Sequence, residues 1–319
     1  MTPLRRDHSS PLTRRRFLVS ALAASALSAA AACGARTEAT VPPPGPEAGA
    51  RFARLDAVLA DLEERRRVRL GVLAHDPGRG LTYARRADDR FAMCSTFKVY
   101  AAAAILRLES QGSLRLDDTV PVDPADIVEN SPVTSEAQGR TLTLAQLCDA
   151  ALTRSDNTAG NLLLRRLGGP TAVTAFARSL GDTATTLDRW EPELNSAEPG
   201  DVRDTSTASG LARGYRELLL GSGLPAAGQQ TLMGWMRASV TSGQRIRAGL
   251  PAGWTAADKS GAGRYGTVND AGVLWSPDGS PLVLVLVLLS DSVTGLPDAA
   301  HDNAAIAEAT AVIVESLTR

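Results

Sequence analysis

Lysine is rare in this chain, and both lysines lie beside serines. The 319 residues contain two lysines, Lys98 and Lys259, against thirty-two arginines. Ser95 precedes Lys98 by three residues, and on a helix this spacing places the hydroxyl and the amine on one face. An amine can lose its proton near neutral pH, whereas a guanidinium stays charged. Ser95 and Lys98 are therefore candidates for a serine nucleophile and the base that activates it.

A second candidate group is the run Ser155, Asp156 and Asn157, in a break between two predicted helices. A loop at this place can turn the Ser155 hydroxyl and the Asn157 carboxamide toward a cleft. The alternative is that Ser155 or Asp156 only caps the helix that begins near Thr158, because short polar side chains are preferred at such positions. Taken alone, the run favours the capping alternative.

The second lysine begins the run Lys259, Ser260 and Gly261 on a predicted strand. Because glycine has no side chain, the backbone of a ligand could approach the strand at Gly261. The alternative is an ordinary lysine at the edge of a strand.

A long stretch from about Gly181 to Asp204 lacks helical periodicity and contains Glu191 and Asn195. Loops of this length are uncommon in compact domains and are usually functional. The stretch is therefore a further candidate part of the site.

Composition argues against several other kinds of function. A net charge of −1 and a pI of about 6.3 provide no basic surface of the kind that binds nucleic acid. The three histidines, His8, His75 and His301, are not clustered and do not neighbour a candidate nucleophile in sequence. A Ser-His-Asp triad or a metal site is not expected, and we predict no cofactor. Cys94 and Cys148 are predicted to be free thiols in the core.

The first 33 residues are predicted to be an export signal. Arg14 and Arg15 lie in a run that resembles a twin-arginine signal, and an Ala/Leu stretch too short for a firm membrane span follows. Cys33 follows three alanines, as in a lipoprotein cleavage site, so lipidation of Cys33 and simple cleavage nearby are both open. The proline-rich residues 34–50 are predicted to be a tether. We expect an exported protein, either extracellular or anchored to the outer face of the cytoplasmic membrane.

Hydrophobic periodicity predicts a helix first, then a hairpin, a helical region, three strands and a closing helix. The predicted elements are 52–67, strands 69–76 and 81–86, the Ser95 helix, helices 143–153, 158–167, 171–180, 207–220 and 226–238, strands 254–262, 267–275 and 282–290, and helix 297–317. This order predicts an α/β (α+β) fold, in which an antiparallel sheet from both chain ends is flanked by the terminal helices. The catalytic domain would span 51–319, with an α/β subdomain of 51–88 plus 239–319 and an inserted all-helical subdomain of 89–238.

In order and spacing, the three motifs at 95–98, 155–157 and 259–261 resemble those of the active-site serine β-lactamases and penicillin-binding proteins. Glu191 with Asn195 resembles the class A β-lactamases in particular, within a stretch (187–207) similar to their omega loop. The resemblance covers residues 51–319. The third motif has serine where the family pattern has threonine. Serine keeps the hydroxyl, which is the group that binds.

The resemblance implies a role for each residue in hydrolysing a β-lactam ring. Ser95 would attack the lactam carbonyl, and the backbone N–H groups of Ser95 and Ala262 would hold the oxyanion. Lys98 would take the serine proton, directly or with Glu191 acting through a water, and the sequence leaves this division open. The remaining roles concern the proton relay, the substrate and the water: Ser155 protonates the leaving nitrogen, Asn157 holds the substrate amide, Lys259 and Ser260 receive the carboxylate, and Glu191 activates a water positioned by Asn195.

Beyond the serine of the third motif, the chain departs from the pattern of many relatives at three positions. Where many class A enzymes have an arginine on the strand after the lysine motif, this chain has Val268, and Arg245 is the candidate substitute. Asn130 stands where many relatives have an aromatic residue at the rim of the cleft. Cys94 resembles a cysteine that forms a disulfide in certain carbapenem-hydrolysing relatives, but Gly263 replaces its partner. Arg189 and Asp204 are expected to form an ion pair at the neck of the omega loop.

The main alternative function is that of a D-alanyl-D-alanine peptidase, a penicillin-binding protein. Such an enzyme shares the three motifs but lacks a deacylating glutamate with an asparagine partner, so Glu191 and Asn195 argue against it. A penicillin sensor domain would also lack that pair. We expect a monomer that binds a small β-lactam substrate, with no nucleic-acid partner and no membrane contact except an anchor at Cys33. Preference among lactam classes is not determined by the sequence.

Overall fold

The computed structural model describes residues 45–277 and 283–318. The predicted export signal, Cys33 and most of the predicted tether lie outside the described residues, as does Leu282, the predicted first residue of the last strand. The predicted helices and strands occur in the predicted order. Residues 89–238, predicted to be all helical, also contain strands of two or three residues, which are too short to leave a periodic pattern in the sequence. The bounds of the elements follow. The helices are α1 Pro46–Arg66, α2 Phe97–Ser110, α3 Pro132–Glu136, α4 Leu144–Thr153, α5 Asn157–Leu167, α6 Pro170–Ser179, α7 Ala208–Leu219, α8 Ala226–Arg237, α9 Ile246–Gly249 and α10 Asn303–Thr318. The strands are β1 Val68–Asp76, β2 Leu81–Arg85, β3 Phe91–Ala92, β4 Thr119–Pro121, β5 Thr141–Thr143, β6 Thr205–Ser206, β7 Thr255–Ala262, β8 Val268–Trp275 and β9 Val283–Ser292.

The first helix begins earlier than the sequence predicted. Helix α1 starts at Pro46, five residues before Arg51, so residues 46–50 of the predicted tether are helical. Proline is favourable at the first helical position because its missing N–H would have no partner there and its φ is already helical. The apolar periodicity that indicated this helix, by contrast, only starts at Phe52.

The main sheet has five strands in the order β2-β1-β9-β8-β7, and every neighbouring pair is antiparallel. Strands β1 and β2 come from the N-terminal part of the chain, and the other three come from the C-terminal part. The predicted sheet, built from both chain ends with helices inserted between them, is confirmed. This arrangement places β7 at one edge of the sheet, where it faces the helical half.

The central strand β9 is buried on both faces. Leu284, Leu286 and Leu288 pack in one apolar cluster with α1 and α10, whereas Val285 and Val287 pack in a second cluster with the helical half. Because successive side chains of a strand point to opposite faces, a strand covered on both sides needs apolar residues at every position. The continuous apolar run therefore predicted a buried strand correctly.

Helix α2 is the centre of the helical half. Its residues from Phe97 to Leu106 are all buried, and the helix contacts α4, α5, α6 and α8. A helix that is apolar on all sides is buried on all sides. The alanines at 101–104 leave room for neighbouring helices to approach closely. The nucleophile candidate at the start of this helix is thus held by the buried core of the helical half.

The C-terminal helix begins later than predicted. Residues 297–302, predicted to be helical, form part of a loop, and α10 begins at Asn303. Asp302 caps the helix, since its side chain accepts a hydrogen bond from the N–H of Ala305 at 3.0 Å. Within residues 45–277 and 283–318, none of the helices combines the length and apolar character needed to cross a membrane.

Candidate active site

Ser95 lies on a short 3-10 turn, Cys94–Thr96, that leads directly into α2. The turn is held from behind, because β3 pairs with β6 and the N–H of Met93 donates to the carbonyl of Asp204 at 3.0 Å. Cys94 has a φ of 47°, in the left-handed region that side chains other than glycine seldom adopt. Such strain persists only where the surroundings impose it, and it is common next to reacting groups. The sequence placed Ser95 in an α-helical turn, whereas the tighter 3-10 turn presents it.

The Lys98 side chain is fully buried and surrounded by oxygens. Its Nζ lies 2.9 Å from Ser95 Oγ, 2.8 Å from the Ser155 carbonyl and 2.7 Å from Asn157 Oδ1. Glu191 Oε1 lies at 2.9 Å. The predicted contact between Ser95 and Lys98 is therefore present, and Lys98 also joins the serine to the second motif and to the omega loop.

Lys259 reaches the site from the opposite wall. Its Nζ donates to Ser155 Oγ at 2.9 Å and to the Ser260 carbonyl at 2.8 Å, and the side chain is fully buried. Burial lowers the pKa of the Lys259 amine well below its usual range, and the nearby charges of Lys98 and Arg245 lower it further. The Lys259 amine is therefore placed to exchange a proton with the Ser155 hydroxyl.

The two alternatives for the run 155–157 both prove to be right, for different residues. Asp156 caps α5, because its side chain accepts from the N–H of Ala159 at 2.8 Å. Ser155 and Asn157 flank it and line the cleft, and Ser155 has a φ of 56°. The Asn157 amide nitrogen donates to the Glu129 carbonyl at 3.0 Å, and its oxygen accepts from Lys98. A left-handed residue before the cap turns the hydroxyl into the cleft.

Strand β7 forms one wall, on which Ser260 and Ala262 line the cleft beside Ser95. From the sequence, Gly261 was expected to make room for the backbone of a ligand, but the group that approaches it belongs to the protein itself. A Cβ at Gly261 would lie 2.8 Å from the carbonyl oxygen of Met93. Glycine is thus needed so that the nucleophile turn can pack against β7. Ser260 Oγ is 2.6 Å from Thr241 Oγ1, a cleft residue that the sequence analysis missed.

The omega-loop residues Glu191 and Asn195 meet as predicted. The Asn195 amide nitrogen donates to Glu191 Oε2 at 2.5 Å. The backbone of Glu191 is held by Asn161, whose amide donates to the Glu191 carbonyl and accepts from its N–H, both at 2.9 Å. Asn161 was missed, although it follows Asn157 by four residues on α5 and therefore shares its face.

Two polar atoms beside the glutamate have no hydrogen-bond partner among the described residues. They are Glu191 Oε1 and Asn195 Oδ1, and both are buried. The 2.9 Å approach of Lys98 Nζ to Glu191 Oε1 is an ion contact without the angles of a hydrogen bond. Because buried polar atoms are nearly always satisfied, and internal waters commonly satisfy them, this pair is suited to hold a water.

The ion pair predicted at the neck of the omega loop is confirmed. Arg189 Nε lies 2.5 Å from Asp204 Oδ2, and Asp204 is fully buried. Asp204 Oδ1 also accepts the backbone N–H groups of Asp188 and Arg189, at 2.7 and 2.9 Å. These contacts close the loop that carries Glu191.

Arg245 is 8% exposed and lines the cleft. Its Nη1 donates to the carbonyls of Gly261 and Asn269, both at 2.8 Å, and its Nε donates to Asn303 Oδ1 at 2.8 Å. Among the described residues, Nη2 makes no hydrogen bond, so this nitrogen is available to a ligand. Val268 is fully buried and provides no charge to the cleft.

The cleft has a volume of about 820 Å³, within the range of small-molecule sites. At its rim Asn130 adopts a φ of 57° and donates to the Ser155 carbonyl at 3.4 Å. Cys94 and Cys148 are free and buried, as predicted. A Cβ on Gly263 would lie 2.7 Å from Cys94 Sγ, so these two positions are neighbours. Histidine was set aside in the sequence analysis, yet His301 also lines the cleft.

Comparison with known proteins adds independent findings. A family model described as "Beta-lactamase enzyme family" matches residues 53–317. Beta-lactamase AST-1 of Nocardia asteroides is 46% identical over 304 residues, which cover 95% of this chain and 96% of that protein. The crystal structure of a β-lactamase from Desulfarculus baarsii is similar with a TM-score of 0.81 and 44% identity, over 84% of this chain and 98% of that one. A mutant of the class A β-lactamase of the last common ancestor of Gram-negative bacteria is similar with a TM-score of 0.79 and 46% identity, over 83% and 99%.

Proposed function

Because the chain belongs to the β-lactamase enzyme family and is similar to class A members over most of its length, we propose that it hydrolyses β-lactam antibiotics through an acyl-enzyme on Ser95. The reaction destroys the antibiotic and gives resistance. One observation carries the proposal: Ser95, Lys98, Ser155 and Glu191 converge in a single cleft, and Glu191 is paired with Asn195. The first three groups suit opening of the ring, and the last pair suits release of the product.

In the acylation step, Ser95 Oγ forms a bond to the lactam carbonyl carbon while its proton passes to a base. Lys98 Nζ, at 2.9 Å, is within reach of that proton, and Glu191 can take it through a water. The backbone N–H groups of Ser95 and Ala262 stabilise the oxyanion, and one such donor is typically worth a factor of about 100 to 1,000 in rate. When the ring C–N bond breaks, Ser155, supported by Lys259, protonates the nitrogen.

In the deacylation step, a water held by Glu191 Oε1 and Asn195 Oδ1 attacks the ester carbonyl. Glu191 takes a proton from this water, and Ser95 Oγ leaves with a proton returned to it. The substrate carboxylate is bound by Lys259, Ser260 and Arg245 in both steps. The substrate side-chain amide meets the carboxamide of Asn157.

The D-alanyl-D-alanine peptidase alternative uses the same nucleophile but needs its acyl-enzyme to last until an amine or water arrives. The pair of Glu191 and Asn195, whose Oε1 and Oδ1 atoms are buried, favours fast hydrolysis instead. The two functions therefore differ in the lifetime of the acyl-enzyme.

A pair of variants tests the proposed function. Glu191→Ala should still open the ring but release product slowly, since general-base catalysis contributes about 100- to 10,000-fold. Intact-protein mass spectrometry after mixing with a penicillin should show one added lactam, and peptide mapping should place it on Ser95. Ser95→Ala should show no adduct. If Glu191→Ala turns over penicillin as fast as the parent, the hydrolytic role of Glu191 is wrong.

We also propose export through the twin-arginine pathway and lipidation at Cys33, with the folded enzyme a monomer. The supporting residues are Arg14, Arg15 and the alanines before Cys33. Cys33→Ser should move the enzyme from the membrane fraction to the medium. Identical fractionation of parent and variant would exclude the anchor.

A further inference from the structure

His301 lies in the loop between β9 and α10, at the rim of the cleft. Its Nε2 is 2.8 Å from the carbonyl oxygen of Gly263, in the turn that joins β7 to β8. A carbonyl oxygen can only accept, so Nε2 carries the hydrogen and donates it. The contact holds for the neutral ring in this tautomer and equally for the protonated ring.

The peptide group that His301 contacts is held at both ends. Its carbonyl belongs to Gly263, and its N–H belongs to Arg264 and donates to the carbonyl oxygen of Asn195 at 3.0 Å. One rigid peptide plane thus links the imidazole of His301 to the backbone of an omega-loop residue. Hydrogen bonds in such a chain polarise and strengthen one another.

The chain continues to the glutamate proposed for deacylation. The side chain of Asn195 donates to Glu191 Oε2 at 2.5 Å, and its backbone carbonyl is the one that receives Arg264 N–H. Gly263 permits this close approach, because a Cβ there would lie 2.8 Å from the Asn195 carbonyl oxygen. Any shift of the peptide after Gly263 is therefore transmitted to Asn195.

The loop that carries His301 is held in place by further contacts. The next residue, Asp302, caps α10 and pairs with Arg66 at 3.0 Å. A second bond, from Tyr265 N–H to the Pro297 carbonyl at 3.0 Å, ties the same loop to the same turn. The loop before α10 is thus a fixed support for the β7–β8 turn.

We propose that His301 is a positioning residue for deacylation, which acts through the Gly263–Arg264 peptide and Asn195 to set the place of the hydrolytic water. It contacts neither substrate nor water in this role. The inference rests on the proposed function. Lys98, a base within reach of the Ser95 proton, is held by contacts that do not involve His301, so the effect of His301 falls mainly on deacylation.

Three variants and two rate constants test the proposal. His301→Ala removes the donor, His301→Gln keeps an amide donor, and Leu296→Ala alters an exposed residue of the same loop outside the cleft lining. Acylation is followed by rapid quench before the steady state, and the deacylation rate is obtained from kcat and the fraction of enzyme that carries the adduct at saturating penicillin. Because His301 is exposed, the alanine variant should fold, and its thermal unfolding is measured alongside.

His301→Ala should slow deacylation by about three- to tenfold, the usual range for one net hydrogen bond, with acylation within about twofold of the parent. His301→Gln should restore most of the rate, and Leu296→Ala should match the parent. Unchanged deacylation in His301→Ala overturns the proposal. So does an equal loss in both steps, or a glutamine variant as slow as the alanine variant, because either would indicate general loosening of the cleft. If the parent does not hydrolyse a penicillin, the proposed function fails, and this inference fails with it.

Discussion

Arg245 is the group whose contribution to substrate binding can be worked out most fully. Nη1 and Nε of its guanidinium bind Gly261, Asn269 and Asn303, and Nη2 is left for a ligand. Arg245→Ala therefore removes both a charge from the cleft and three internal hydrogen bonds. The two consequences are measured separately.

The loss of substrate binding should equal the value of one charge-assisted hydrogen bond, about 1.5 to 3 kcal/mol. At 1.36 kcal/mol for each factor of ten, this is a rise in KM of roughly ten- to 150-fold with little change in kcat. The loss of internal bonds leaves two backbone carbonyls without that donor, at about 1 to 3 kcal/mol for each unsatisfied buried group. The free energy of unfolding should therefore fall by about 2 to 6 kcal/mol.

Steady-state kinetics on a penicillin and on its methyl ester provide the assay. The ester lacks the carboxylate, so its kcat/KM should differ little between parent and Arg245→Ala. Arg264→Ala is the matched control, because Arg264 also lines the cleft but donates no side-chain hydrogen bond to β7 or β8 among the described residues. Equal losses for acid and ester, or an equal rise in KM in Arg264→Ala, would refute the assignment. An unchanged KM would mean that Lys259 and Ser260 suffice.

Two further predictions concern buried groups near the site. Burial raises the pKa of the Asp270 carboxyl well above its usual range, with the charge of Asp258 adding to the effect, so Asp270 holds its proton in the folded chain at a pH where the unfolded chain has lost it. The free energy of unfolding of the parent should thus fall as the pH rises above about 4, by about 1.36 kcal/mol for each unit by which the Asp270 pKa of the folded chain exceeds that of the unfolded chain. In urea unfolding, Asp270→Asn should gain stability relative to the parent over that pH range. Parallel curves of unfolding free energy against pH for the two proteins would contradict this. Gly263→Cys should form a disulfide with Cys94, since the new Cβ would lie 2.7 Å from Cys94 Sγ, and the omega loop should shift slightly because the same Cβ would lie 2.8 Å from the Asn195 carbonyl oxygen. Thiol titration of the denatured variant should then find one free thiol fewer than in the parent, and reduction should release two more. A count of one more than the parent without reduction would rule the disulfide out.

Local patterns in the sequence were enough for the longer helices and strands and for most of the proposed site. The apolar run of β9 predicted a strand buried on both faces. Successive side chains point to opposite faces, so a strand covered on both faces has apolar residues at every position. The rarity of lysine singled out Lys98 and Lys259, and a spacing of three placed Ser95 beside Lys98. Element boundaries were less certain: α1 and α10 begin at Pro46 and Asn303, since proline and the capping Asp302 decide the first turn and periodicity does not.

Contacts between distant segments were decided only by the tertiary structure. The absence of a side chain at Gly261 was interpreted as space for a ligand, but the register of β7 against the nucleophile turn places the Met93 carbonyl there. The contact of Asn161 with Glu191 depends on how α5 packs against the omega loop. The contact of His301 with Gly263 depends on how the loop before α10 packs against the β7–β8 turn. The physical reason is that periodicity and spacing report which face a residue occupies on its own element. Which residue of another element lies opposite depends on sheet register, helix packing and the path of irregular loops, none of which leaves a local pattern in the chain.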